Sequence, residues 1–156
     1  MNIKHTLLST IIATTAFTSS VSAIENNSSF KLAVVKGYLG SRSIASGNYA
    51  KGINYLTRKN AVNENFESKM GLCTAYIKMS NIDKSESACT SAINDLKTIK
   101  KDNKQVTYIK SVSYSNRGVS RYLNDDIAGA IEDLTTAVLI DSNPITTHNL
   151  KLAKYK

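Results

Sequence analysis

The chain has 156 residues, with 20 Lys and Arg against 12 Asp and Glu, a formal net charge of +8, and only two Cys and two His. That length suits one domain with a continuous core and is short for two. So few soft ligands leave no zinc site of ordinary composition if the cysteines are engaged, and a basic excess on an exported chain points to acidic surfaces or partners rather than nucleic acid.

Residues 1–23 read as an export signal. Lys4 precedes an apolar run over residues 7–17, and Val21, Ser22 and Ala23 present the small residues of a cleavage site. The run falls short of the roughly 20 residues that span a bilayer, so no transmembrane segment is expected after cleavage. Localisation is expected to be periplasmic or secreted. Residues 24–29 are polar and read as a flexible segment, with Ser28 or Ser29 available as a helix cap.

From Phe30 onward the apolar spacing predicts helices throughout. Leu32, Val35, Leu39 and Ile44 recur at three to five residues. Ser46, Gly47 and Asn48 break the pattern, and Tyr49, Ile53 and Leu56 resume it, giving a first hairpin over residues 30–61. A second hairpin, residues 66–99, carries Leu72, Cys73, Tyr76 and Ile77, turns at Ser80 and Asn81, and returns through Ile82, Cys89, Ala92 and Ile93. The third, residues 106–141, carries Val112, Tyr114, Gly118 and Tyr122, turns at Asn124, Asp125 and Asp126, and returns through Ile127, Ala130, Leu134 and Leu139. Asn143 and Pro144 then open a capping helix over residues 144–155.

Where the helices of each hairpin cross stand Gly40, Cys73 and Gly118, separated by 33 and 45 residues. About eleven extra residues are close to three helical turns, so the insertion lengthens the facing helices around residues 97–107 without rotating their buried faces. The fold class expected is all-α, an α-solenoid of about three hairpins plus the C-terminal cap. The lysines near residue 100 and at the C-terminus read as a solvated loop and as cations favouring the end of a final helix.

In the third hairpin Tyr114, Gly118, Ala130, Leu134 and Ala137, followed by Pro144, resemble the pattern of the tetratricopeptide repeat family. Arg121 stands in the usual second aromatic slot and Asp125 in place of the usual turn glycine. The first hairpin matches through Gly40, Gly47, Tyr49 and Leu56, and the second through Tyr76 and Ala92. The resemblance implies stacked antiparallel helix pairs, a partner-binding role, and no catalytic residues.

Cys73 and Cys89 lie 16 residues apart, each eight from a turn centred near Asn81, so antiparallel helices set them opposite one another. A structural disulfide is the leading expectation in an exported chain; two reduced cysteines packed as small hydrophobes are the alternative. His148 has no second His to share a metal and no nucleophile elbow before it, and reads as an exposed residue of the capping helix. Asp125 and Asp126 read as caps. Arg117 and Asp133 are expected to form a structural ion pair across the hairpin.

By the resemblance, ligands lie along the first helices. Ile44, Met70, Thr74, Ile77, Lys78, Val119 and Tyr122 are the expected partner-binding residues, with Arg121 at the edge. No cofactor and no metal are expected. The function expected is a non-enzymatic module holding a protein or peptide, as a peptide or helix, one with an acidic group suiting the basic chain. The alternative is a structural envelope protein attached to anionic surfaces by its charge. With three repeats near the minimum for a stable stack, weak self-association is also expected.

Overall fold

The structure, a computed structural model, describes residues 29–37, 40–58, 65–100 and 103–155. The expected leader and residues 24–28 lie outside the described residues. Among the described residues are seven helices: α1 Ser41–Ala45, α2 Tyr49–Thr57, α3 Phe66–Lys78, α4 Ile82–Lys97, α5 Lys104–Leu123, α6 Ile127–Ile140 and α7 Pro144–Tyr155. Each packs on the next, and the first helices α1, α3, α5 and α7 also touch in succession. That double adjacency makes the all-α chain a solenoid. It also puts α7, the expected cap, where the first helix of a fourth hairpin would stand.

Short polar side chains start the helices. Asn48, Asn65, Asn103 and Asp126 each accept a hydrogen bond from the backbone N–H three residues on. Asn143 accepts from Ile145 and Thr146 at the start of α7, where Pro144 has no N–H to lose.

The turns repeat more faithfully than the helices. In each hairpin an N–H closes back on the carbonyl five residues earlier: Asn48 on Ser43, Asn81 on Tyr76, and Asp126 on Arg121. The residue before each of these donors takes a positive φ: Gly47, Ser80 and Asp125. Two of the three do so with a side chain, a conformation that strongly favours glycine.

The insertion between the second and third hairpins lengthens the helices beside it. α5 has 20 residues where α3 has 13. Gly118 lets α5 approach α6 closely, since a Cβ there would lie 2.7 Å from Leu134 Cγ and 3.1 Å from the Ala130 carbonyl. Gly52 does the same for α1, where a Cβ would collide with Ile44. Cys73 and Cys89 are joined in a disulfide across α3 and α4, with Cα atoms 4.9 Å apart.

The helix expected from Phe30 does not form. Residues 30–35 are extended, and α1 is confined to Ser41–Ala45. The intervals between Leu32, Val35 and Leu39 fit a helix, but two β-branched residues in a row at Val34 and Val35 lower helix propensity. Gly37 and Gly40 then take φ 97° and 89°. The side chains alternate instead: Phe30 and Leu32 pack on the cluster of Cys73, Ile77, Cys89 and Val119, whereas Ala33 and Val35 pack with Met70, Ala92, Leu96, Ile109 and Val112. The first hairpin is thereby reduced to the short pair α1 and α2.

Candidate functional site

The extended segment lies across the first helices α3, α5 and α7, in the groove between them where the partner-binding residues were expected. Asn116, in mid-α5, is fully buried; its Oδ1 accepts from the Ala33 N–H at 3.1 Å and its Nδ2 donates to the Ala33 carbonyl at 2.8 Å. Asn149 in α7 treats Lys31 the same way, at 2.8 and 2.7 Å. In an extended chain the N–H and C=O of one residue point to the same side, and those of the residue two along do so again. A side-chain amide carries one acceptor and two donors in a plane, so each asparagine stands in for one residue of a neighbouring strand.

Further bonds fix the position of the segment. Thr74 Oγ1 in α3 donates to the Ala33 carbonyl at 2.9 Å and accepts from Asn116 Nδ2 at 3.2 Å. Asn149 Nδ2 also donates to Ser115 Oγ at 2.9 Å. At the other end His148 Nε2 lies 3.0 Å from the Ser29 carbonyl. Phe30 meets Tyr122 edge to face, ring centroids 4.9 Å apart. The segment therefore runs from α7 past α5 to α3, against the order of the repeats.

Of the residues expected to bind a partner, Met70, Thr74, Ile77, Val119 and Tyr122 come together on this inner surface, beneath or beside the segment. Lys78 is exposed in the last turn of α3. Two others sit elsewhere. Ile44 is buried inside the first hairpin against Gly52, because α1 is too short to reach the groove. Arg121 is not at the rim of the groove with its charge on offer: it pairs with Glu86 at 2.9 Å and Asp133 at 3.1 Å.

That pairing belongs to a network joining α4, α5 and α6. Arg117 holds Asp133 with two parallel hydrogen bonds of 2.7 Å and reaches Thr90, with its guanidinium over the Tyr114 ring. The hydrogen bonds that Arg117 donates to Asp133 raise its pKa above the ordinary value, against the opposing effect of burial. With Asp133 almost fully buried and committed to two arginines, these groups join hairpins; they are not arranged as an acid and a base.

Asn116 and Asn149 were not among the expected residues, and His148 was expected to stand exposed, whereas it is half-buried against Ser29. The signal for the asparagines was present. They lie 33 residues apart, one repeat interval, each inside a first helix, where asparagine has poor propensity and needs a reason to be.

No protein-family profile and no curated protein matches the chain. Among solved structures, the second TPR domain of human RPAP3, determined by NMR in complex with the HSP70 peptide SGPTIEEVD, superposes with a TM-score of 0.60 at 24% identity, over 75% of this chain and 90% of that one. The fold is that of a TPR domain.

Proposed function

We propose that this protein is an exported, non-enzymatic interaction module that holds an extended peptide along the groove of its first helices. One observation carries the reading: the groove already holds an extended stretch of polypeptide by its main chain, through Asn116, Asn149 and Thr74. Main-chain capture plus side-chain pockets is how sheet edges and grooves bind peptides of many sequences, and it favours an extended ligand over a helix. The RPAP3 domain, solved with a bound peptide, supports the same use of the fold. The net positive charge favours partners with acidic flanks.

The test is cross-linking in the exporting cell. Full-length protein with a photoreactive residue in place of Tyr122 should link to a partner, whereas the same residue at Leu139, exposed on α6, should not. Equal linking at both positions, or none at Tyr122, overturns the groove reading. The mass of the recovered protein should correspond to cleavage after Ala23, and an intact N-terminus would remove export from the proposal.

A further inference from the structure

The segment in the groove differs from the helices around it in how it is held. Of its side chains only that of Ala33 is buried, while Phe30, Leu32 and Val35 are half-buried and Lys31 and Lys36 are exposed. The hydrogen bonds that hold it come from side chains of three separate helices. Beyond Val35 the chain reaches α1 through a connector with left-handed glycines at 37 and 40, and a Cβ at Gly37 would meet nothing. A strand so attached is joined to the domain as a ligand is joined to a receptor, with a tether added.

We propose that residues 29–35 are a resident internal ligand, and that the partners of the groove are extended peptides sharing its layout, which must displace it. This rests on the interaction-module reading above and specifies its ligand. The layout follows from the pockets. A large apolar residue, aromatic by preference, fills the place of Phe30 against Tyr122, and an aliphatic one that of Leu32, both on the cluster of Cys73, Ile77, Cys89 and Val119. The place of Ala33 takes only a small residue, because Thr74 and Asn116 close on its main chain and the core closes on its Cβ. A second aliphatic residue fills the place of Val35 against the cluster of Met70, Ala92, Leu96, Ile109 and Val112. The positions of Lys31 and Lys36 face solvent and tolerate any side chain.

A short tether holds its ligand at an effective concentration on the order of millimolar, so a free peptide competes poorly with the resident copy until the tether is cut. The experiment uses the full chain with a protease site placed at Gly37, and a fluorescent synthetic peptide of the sequence Ser-Ser-Phe-Lys-Leu-Ala-Val-Val. After cleavage the peptide should exchange into the groove and bind about tenfold or more tightly than to the uncut protein. An Ala33→Arg peptide should fail to exchange, and an Asn116→Leu protein, checked for helicity, should lose the same binding.

A cut segment that never leaves in the presence of excess peptide would overturn the proposal and make the segment a fixed part of the core. Equal exchange of the Ala33→Arg peptide would overturn the layout. If the cut protein dimerises and passes its segment between copies, the resident is not internal and the proposal fails in that form. In each of these cases a partner still cross-linked at Tyr122 would leave the module reading standing, so the two failures are distinguishable.

Discussion

Asn116 and Asn149 stand 33 residues apart in the chain, on α5 and α7, and grip residues only two apart in the segment they share, Ala33 and Lys31. Two residues of extended chain advance about 6.6 Å. On α5 and α7 neighbouring first helices are thereby matched to alternate residues of the segment, one asparagine to one main-chain pair.

Removing that match at its buried end should be costly. Asn116→Ala leaves the N–H of Ala33 with no partner in a dry site and strips a donor from Thr74, so we expect a loss of about 2–3 kcal/mol. Asn149→Ala, acting on the part-buried Lys31 main chain, should cost about 1–2 kcal/mol. Urea denaturation gives the energies, and amide exchange at Ala33 should accelerate in the first variant before that of α3 does.

Reducing the disulfide should destabilise the domain by about 3 kcal/mol, the loop between Cys73 and Cys89 spanning 16 residues. The denaturation midpoint with and without reductant, and that of a Cys73→Ala/Cys89→Ala double variant, measure it. An unchanged midpoint would show that packing alone holds α3 against α4.

Arg117→Met should cost about 3 kcal/mol, because it leaves Asp133 buried with only Arg121 to balance it. Arg117→Lys should recover only part of this, since an ammonium cannot make both parallel bonds. A double-mutant cycle with Asp133→Asn should return a coupling above about 1 kcal/mol.

Gly118→Ala drives a methyl into Leu134 and towards the Ala130 carbonyl, and should cost about 1–3 kcal/mol. Adding Leu134→Ala should not restore stability, because the backbone carbonyl remains in the way and a cavity opens. Thermal unfolding of the three proteins checks this.

Glycine at the two strained turns should have the opposite sign. Ser80→Gly and Asp125→Gly relieve positive φ values of 55° and 60° and should each raise stability by about 0.5–1 kcal/mol, the relief exceeding the added freedom of the unfolded chain. Urea midpoints should rise with unchanged slopes.

The all-α solenoid was legible because its signals are local. Apolar residues at helical intervals run through α3, α4, α5 and α6, and the same turn recurs at Gly47, Ser80 and Asp125. Thr74, Ile77, Val119 and Tyr122 were placed on the inner surface through the resemblance to the tetratricopeptide pattern. The extended segment over residues 30–35 was not legible, since Leu32, Val35 and Leu39 satisfy a helical spacing and the groups that hold the segment lie 41, 83 and 118 residues away. Local propensity states a preference, and here three distant side chains outweigh it. Ile44 and Arg121 were misplaced for a related reason: one was carried over from a full-length first helix that this chain lacks, the other from a slot whose usual aromatic has been exchanged for a charge.

A chain made from its N-terminus presents residues 29–35 long before Asn149, one of their main-chain partners 118 residues on from Lys31. Solenoids ordinarily assemble unit by unit, each module content with the neighbour it already has. Here the extended segment has no complete berth until α7 has been made, and only then are Lys31 and Asn149 fastened together. Until α7 is made the segment is held at Ala33 alone, by Thr74 and Asn116, and that is the interval in which a competing extended chain from another molecule should meet least resistance.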